Sequence, residues 1–403
     1  MKLAWVILLL LPGVVYGRDD DKWELYGFVK QDALVAAPDK PSPFSLTGEH
    51  PAHFPWTGIS ALRLGIRMYP SDRILVESAL DAALIEGALA QQKGDELGRS
   101  LGFNLLPATE QRQIVRAFSS TVGIQRAFFQ IRQGISTTAI GLAPYAQGNT
   151  LFFNPADVIN NFQLTLNADE KAAFWQLSES VGWGDGNEMA LALFPGASRD
   201  QSRYLARGAF SLWGAELNGF AARLPGLLAG TLPQNAVAAT WWDDPQWLVG
   251  VGGWRPVWRA VSARFDLVRY FSGLFRYRNR LAVGLDYQGP WNANIVTEYL
   301  YDETAAGDQA DYLWGRLDEG YLWTLARHYV VMYVTIQPTL LDQLAAYWLQ
   351  NAVDGSSRWY LSWIRSLAQD LDLRIDVDGP TGSLRSEFGR LPYTLRGELK
   401  IYF

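Results

Sequence analysis

Apolar and polar residues alternate at every second position along several stretches of this chain, most regularly over its last eleven residues. In an extended strand, one face of that stretch carries Tyr393, Leu395, Leu399, Ile401 and the terminal Phe403, and the other face carries Thr394, Arg396, Glu398 and Lys400. Successive side chains of a β-strand point to opposite sides of the sheet, so a period of two predicts a strand with one apolar and one polar face. The chain therefore ends in a predicted strand whose final residue is aromatic.

The same alternation recurs far upstream of the C-terminus. The stretches concerned are 62–68, 74–80, 281–287, 295–299 and 371–377. Strands of a barrel in the outer membrane turn apolar residues to lipid and polar residues to the lumen, so the repetition predicts an all-β fold, a transmembrane antiparallel β-barrel. After the N-terminal region, no stretch supplies about 18 uninterrupted apolar residues, and we expect no transmembrane helix in the mature chain.

The predicted number of strands follows from the alternation of tight turns with long connections. Tight turns at one barrel end and long loops at the other fit about 16 strands, within a range of roughly 14–18. The apolar run from Glu188 to Phe194 would add an odd strand, whereas bacterial barrels of this type have even counts. We therefore assign 188–194 to a long excursion over 147–200, part of which we expect to fold into the lumen.

The N-terminus indicates export. Lys2 precedes an apolar run from Leu3 to Leu11, and Gly17 offers a small residue for signal-peptidase cleavage. Residues 1–17 are thus a predicted signal peptide, and 18–403 a predicted single barrel domain. The chain has no cysteine, which excludes disulfides, thiol chemistry and cysteine-based metal sites. The expected location is the bacterial outer membrane.

Composition agrees with a membrane barrel. The chain contains 17 Trp and 18 Tyr, and aromatic residues make up 13 % of it, against 19 % for charged residues. Trp and Tyr favour the membrane–water interface, where barrels carry them as two girdles, so outer-membrane lipid is an expected partner. The formal net charge of −6 provides no basic surface for nucleic acid.

The polar faces of the predicted strands carry charges that would line the lumen. The candidate pore-lining residues are Arg63, Arg67, Glu77, Asp81, Arg126, Arg132, Asp286, Glu298, Arg374, Asp376, Arg396 and Glu398. Two interpretations stay open. Arginines on one wall opposite Asp286 and Glu298 would set up a field across the pore that filters solutes, or each charge pairs with a neighbour such as Glu77 or Asp81. A pore is expected under both interpretations, but a charge preference only under the first.

The most distinctive local sequence is the segment Thr150–Phe162, which follows the predicted strand Ile135–Ala146. Asn154 suits the N-cap of a helix, Pro155 its first position, and Asp157 the free amides of the first turn. One interpretation is therefore a capped helix on the surface. The other is an inward loop that forms the constriction of a pore.

Three motifs carry a resemblance to a large group of poorly characterised porin-like outer-membrane proteins. They are Phe153-Asn-Pro-Ala-Asp-Val158, the hairpin Leu349–Ser357 and the loop Ser386-Glu-Phe-Gly389. The resemblance implies passive diffusion of small solutes through a lumen narrowed by a loop that carries Asn154, Pro155 and Asp157, with no cofactor. The final strand and its aromatic end are similar to the signal that the barrel-assembly machinery reads, which makes Phe403 the candidate assembly signal.

Enzymatic function is not expected. His50 and His53 belong to a predicted outer loop in which Pro51 opposes the helical spacing of a zinc site, and His328 begins a predicted strand without a matching serine motif. We expect no metal site and no catalytic residue. The remaining alternative is a non-conducting barrel, plugged by its long loops, that acts in secretion, lipid handling or surface interaction.

Overall fold

The computed structural model describes most of the chain. The described residues are 22–36, 56–87, 119–159, 173–184, 186–196, 198–225, 246–272, 276–312, 314 and 324–403. The predicted signal peptide 1–17 lies outside them, as do His50, His53 and residues 160–172 of the predicted excursion.

Eighteen antiparallel strands form a single closed sheet within this part of the chain. They are β1 Trp23–Ala36, β2 Trp56–Ser71, β3 Ile74–Gly87, β4 Ser119–Gln133, β5 Ser136–Pro144, β6 Ala173–Trp183, β7 Asn187–Phe194, β8 Arg203–Leu212, β9 Ala215–Leu224, β10 Gln246–Trp258, β11 Val261–Ser272, β12 Arg276–Gln288, β13 Asn294–Asp302, β14 His328–Ile336, β15 Asp342–Asn351, β16 Ser357–Ala368, β17 Leu371–Thr381 and β18 Thr394–Tyr402. Each strand pairs with its neighbours in sequence, and β1 also pairs with β18. The predicted antiparallel barrel is confirmed.

The barrel is closed by its first and last strands. In the β1–β18 register Asp32 lies opposite Glu398, and Gly27 exchanges two backbone hydrogen bonds with Phe403, of 2.8 and 3.2 Å. Closure leaves no sheet edge, which matters in a membrane because lipid cannot satisfy free backbone N–H and C=O groups.

The two faces of the sheet differ as the alternation predicts. On β18 the outward Leu395 is 52 % exposed, whereas its neighbour Arg396 points inward and is 4 % exposed. Exposed aromatic residues gather near the two barrel ends, with Trp213, Trp258 and Trp291 near short turns and Trp175 and Trp247 near the ends of strands that lead into long connections. We call these ends the turn end and the loop end.

The strand count lies within the predicted range, but the preferred number of 16 was two short. The excursion assigned to 147–200 contains β6 and β7, which pair with each other and with β5 and β8. The assignment of 188–194 to a loop was therefore wrong. Two features hid this hairpin: Glu179 faces outward on β6 and accepts hydrogen bonds from Ser136 and Thr138, and β7 places Ala190 and Ala192 on its inner face, so its sequence lacks polar alternation.

Among the described residues, no helix is long and apolar enough to cross a membrane.

Candidate functional site

The chain turns into the lumen after β5. Residues 145–159, here called the inward segment, leave β5 at the loop end and run along the inner faces of β11 and β13. Five consecutive backbone N–H groups of this segment, from Asn149 to Phe153, donate hydrogen bonds to two carboxylates of the barrel wall. The inward-folded loop expected from the sequence therefore exists in the described part of 147–200.

Asp266 on β11 holds the first part of the inward segment. Its carboxylate accepts from the backbone N–H groups of Asn149 and Thr150 at 2.9 and 2.7 Å, and from the Thr150 hydroxyl at 2.7 Å. The Asn149 side-chain amide adds a contact of 3.1 Å. Asp266 is completely buried, so these donors replace the water that a free carboxylate requires.

Glu298 on β13 holds the next three residues. Its two oxygens accept from the backbone N–H groups of Leu151, Phe152 and Phe153 at 2.5, 3.0 and 2.9 Å. Hydrogen bonds to an ionised acceptor are shorter and stronger than neutral ones. Because the donors belong to the backbone, the arrangement fixes the path of the chain rather than any single side chain.

The inward segment keeps its own shape through a tight turn. The Asn154 amide donates to the Gln147 carbonyl at 2.8 Å, and the Gln147 amide donates to the Ala156 carbonyl at 2.6 Å. Gly148 has a φ of 104°, and a Cβ there would lie 1.8 Å from the Asn154 side-chain oxygen, so only glycine fits. Asp157 N–H bonds the Asn154 carbonyl at 3.1 Å, which closes a single turn instead of the helix that the capping pattern allowed.

Two apolar clusters inside the barrel flank the inward segment. Phe153 is fully buried in one of them, among residues of β12–β15 and the loop end. The members of this first cluster are Phe153, Ala282, Leu300, Tyr312, Leu325, Ala326, Tyr329, Val331, Leu349 and Phe388. Ala156 and Ile159 belong to the second, which lies on the inner faces of β7–β11. The inward segment thus bridges two apolar patches of the lumen wall.

A buried polar network lies beside Phe153 at the loop end. Glu387 accepts from the Tyr329 hydroxyl at 2.6 Å and from the Asn351 amide at 2.7 Å, and its N–H donates to Asp354 at 2.7 Å. Burial raises the pKa of Glu387 to about 7, because few groups replace the water lost by its carboxylate. Burial also raises the pKa of the Tyr312 hydroxyl, which accepts from Asn351 at 2.7 Å.

The three motifs that carry the family resemblance meet at this point. Phe153 packs against Tyr329 with ring centroids 6.2 Å apart, and Tyr329 packs against Phe388 at 6.4 Å. Phe388 N–H donates to the Ser356 hydroxyl at 3.2 Å. Segments separated by some 200 residues in the sequence therefore form one structural unit inside the barrel.

Most of the predicted pore-lining charges point inward and pair with neighbours. Arg63 binds Asp81 with two hydrogen bonds of 2.6 and 2.7 Å. Glu77 contacts Arg126 at 2.9 Å and Arg67 at 3.4 Å. These contacts favour neighbour pairing over opposed walls of unpaired charge.

The remaining candidates fall into three groups. Arg374, Asp376, Arg396 and Glu398 join one buried network on β17 and β18, in which Arg396 contacts Asp376 at 3.3 Å. Asp286 pairs with Arg264 at 2.6 Å, and Glu298 binds the inward segment instead of facing open lumen. Arg132 is exposed beside the turn at 134–135, where its backbone N–H donates to the Arg73 carbonyl at 2.7 Å.

Sequence reasoning missed several residues that build this site. Asp266 and Arg264 share the inward face of β11, and the period of two in Arg264-Phe-Asp-Leu-Val268 could have revealed both. Glu387 and Asn351 lie inside two of the motifs that carry the resemblance to porin-like proteins, and the sequence gives them no further signal. Their partnership could not be read from the sequence, because 35 residues separate them and neither alternation nor spacing marks the contact.

Within the described ranges, no group of three or more His, Cys, Asp or Glu residues is arranged to hold a metal ion. His328 stacks on Tyr299 and shares a hydrogen bond of 2.7 Å with its hydroxyl.

No family model and no curated protein matches the sequence. Among solved structures, the chain is similar to the crystal structure of OccAB1 from Acinetobacter baumannii, with a TM-score of 0.54, 9 % identity and coverage of 94 % of this chain and 96 % of that one. A Salmonella typhi OmpF complex with daunomycin matches at a TM-score of 0.45 and 10 % identity, over 96 % and 99 % of the two chains. A Rhodopseudomonas blastica porin variant matches at 0.45 and 10 %, over 94 % and 100 %. The likeness to OccAB1 concerns the fold.

Proposed function

We propose that this protein is an outer-membrane channel through which small solutes diffuse passively, and that the inward segment narrows its lumen. The observation that carries the proposal is the attachment of this segment by five consecutive backbone N–H groups to Asp266 and Glu298. A loop held this firmly against an inner wall sets a fixed pore size. A barrel of this strand number is wide enough to hold a water-filled channel around such a loop.

The outer surface supports a place in the outer membrane. Its strands turn apolar residues outward, and exposed aromatic residues lie near both ends, as expected where protein meets the membrane–water interfaces. On this proposal outer-membrane lipid surrounds the barrel, and the barrel-assembly machinery inserts it by recognising the final strand and Phe403. Diffusion of solutes needs neither a cofactor nor a catalytic group.

The proposal gives roles to residues of the lumen. Asn154, Pro155 and Asp157 form the turn of the inward segment and belong to the constriction. Of these, Asp157 is half-buried and adds a carboxylate to the constriction, whereas Pro155 is buried. The inward charged side chains that stay exposed, such as Arg67 and Arg126, form the wall that solutes pass.

Single-channel recording in planar bilayers tests the proposal. Purified protein should give steady conductance steps, whereas a plugged barrel should give none. Correctly folded protein without any conductance would favour the alternative role in secretion, lipid handling or surface interaction. Since the chain has no cysteine, the variant Asp157→Cys can be modified with a small charged thiol reagent. We expect modification to reduce the current, and the same reaction on the turn-end variant Asp72→Cys to leave it unchanged.

A further inference from the structure

Three ion pairs of the lumen wall share one arrangement, in which the carboxylate is buried and the arginine is the more exposed partner. In the Arg264–Asp286 pair the arginine side chain is 20 % exposed and the carboxylate side chain 4 %. Arg358 and Asp378 show 13 % and 3 %. Arg374 and Asp376 show 16 % and 3 %.

Glu77 repeats this arrangement with two arginines. The Glu77 side chain is 4 % exposed, whereas Arg67 and Arg126 above it are 31 % and 19 % exposed. The Tyr26 hydroxyl also donates to Glu77. One buried carboxylate therefore carries two arginines that contact the lumen.

The inward segment hides two further carboxylates. Asp266 and Glu298 face the lumen from β11 and β13, yet the backbone of 149–153 covers both, and at most 1 % of either residue is exposed. Arg264 lies at the border of this covered area, where it donates to the Asn149 carbonyl at 3.2 Å. The carboxylates of Asp266 and Glu298 are thus shielded from the lumen, whereas the Arg264 side chain stays at the lumen surface.

Glu24 on β1 departs from this arrangement, because its side chain is 50 % exposed and lies 3.6 Å from Arg67, whose side chain is 31 % exposed. One side of the lumen departs from it as well. Glu188 on β7 and Arg207 on β8 are equally exposed, at 35 % and 33 %, and their closest atoms are 3.3 Å apart. Asp157 on the inward segment is half-buried. This side offers solutes both signs of charge.

We infer that the channel passes small anions in preference to cations, because at Asp286, Asp376, Asp378 and Glu77 the carboxylate is buried and the paired guanidinium is the more exposed group. The inference rests on the proposed function, since it requires a lumen that conducts. A neutral pair oriented in this way is a dipole whose positive end points to the solute, and low-dielectric walls around a narrow lumen focus its field. Arginine keeps its charge at every physiological pH, so this preference is permanent.

Reversal potentials across a potassium chloride gradient test the inference. The protein should show anion preference at low salt, weakening toward 1 M, where the screening length is about 3 Å. The decisive variant is Arg264→Gln with Asp286→Asn, which removes one positive and one negative charge and leaves net charge unchanged. If exposure of the guanidinium sets selectivity, the anion-to-cation permeability ratio should fall by roughly twofold or more, since local potentials at such walls raise counter-ion concentrations by larger factors.

The matched control is Arg63→Gln with Asp81→Asn. This pair has the same Nε–Oδ1 hydrogen bond of 2.6 Å as Arg264 and Asp286, but both of its side chains are buried, at 8 % and 2 % exposure, so its removal should leave the reversal potential unchanged. Where the first double variant fails to fold, Arg126→Gln replaces it, because Glu77 keeps Arg67 and Tyr26 as partners.

The outcomes separate the two proposals. Absence of any conductance in the folded wild-type protein contradicts the proposed function. A conducting wild-type protein that prefers cations, or equal reversal potentials for the two double variants, overturns the anion preference and leaves the channel function standing.

Discussion

Two regions of the inner wall handle buried carboxylates in different ways. At the seam where β17, β18 and β1 meet, Asp32 and Asp376 bind arginine side chains. On the wall of β11–β13, here called the covered wall, Asp266 and Glu298 bind the backbone of the inward segment. The sequence pattern is the same in both regions, an acidic residue on the inner face of an alternating strand.

The seam contacts join distant parts of the chain. Arg396 contacts Asp32 at 2.8 Å across 364 positions of sequence, and Lys30 contacts Glu398 at 3.5 Å. All four side chains are buried, so losing one partner leaves an uncompensated charge. On the covered wall, Asp266 and Glu298 instead hold the inward segment mainly through hydrogen bonds from its backbone N–H groups. Inward acids at the seam therefore help to close the barrel, whereas those on the covered wall determine the shape of its lumen.

The largest effect is expected from changing the seam at its last residue. Deleting Phe403 removes two backbone hydrogen bonds with Gly27 and the ring that packs over Gly27. We expect most of the protein to fail insertion, measured as loss of heat-modifiable mobility and of surface protease resistance. The control Phe403→Tyr keeps the backbone and an aromatic ring and should insert normally. Normal insertion of the deletion variant would show that the last strand closes the barrel without this residue.

Releasing the inward segment from the covered wall should change conductance while the sheet of the barrel stays intact. Glu298→Gln deprives three backbone N–H groups of a charged acceptor, and bonds to charged groups contribute about 1.5–3 kcal/mol each. We expect larger and noisier single-channel currents as the inward segment moves away from the wall. Glu188→Gln makes the same chemical change at a lumen carboxylate that does not hold the inward segment, and its current noise should equal that of the wild type. Identical traces for both variants would mean that Asp266 and the apolar clusters hold the segment alone.

The network beside the covered wall should respond to pH through Glu387. Its pKa is raised from an ordinary 4.5 to about 7 in the folded protein, so between these values the folded state holds a proton that the unfolded state has lost. Stability should therefore fall as pH rises from about 4.5 to 7, by about 3 kcal/mol at 1.36 kcal/mol per pKa unit, and stay level above that range.

The midpoint temperature of the heat-induced mobility shift, followed from pH 4 to 8, measures this dependence. Asp354 and Arg358 are the nearest charged groups to Glu387 and act in opposite directions. In Glu387→Gln the decline over this range should disappear, because no proton is exchanged. A decline that persists in this variant would assign the pH dependence to another group.

The smallest effect is expected from Arg132, which lies outside both regions. Arg132→Ala should leave the free energy of unfolding within about 0.5 kcal/mol of the wild type, because its side chain is exposed beside a turn. Its reversal potential should shift less than that of Arg126→Gln. A larger shift for Arg132→Ala would place the selective zone at the turn end and move it away from the inward segment.

The barrel and the inward and outward faces of many of its strands can be predicted from the alternation alone. In β2, β12, β17 and β18 the alternation has a period of two, and only one choice of face puts Leu395 in lipid and Arg396 in the lumen. The same pattern failed for the β6–β7 hairpin, because Glu179 satisfies its outward carboxylate with two hydroxyl groups and the inner face of β7 continues after Glu188 with the apolar Ala190, Ala192 and Phe194. The alternation of apolar and polar residues identifies a strand where all side chains on one face share the same surroundings. It fails where a contact with other residues replaces those surroundings.

The contacts between residues inside the lumen depend on the three-dimensional fold. The capping pattern around Asn154 is compatible with a helix, but the Asn154 amide donates to the Gln147 carbonyl and the chain forms a single turn, while the five N–H groups ahead of it bind Asp266 and Glu298. Those acceptors lie more than 100 positions away, so neither propensity nor spacing encodes the contact. The exposure of charges is decided in the same way: composition counts acids and bases, but the packing of Tyr26, Arg67 and Arg126 around Glu77 buries this carboxylate and leaves Arg67 at the lumen surface.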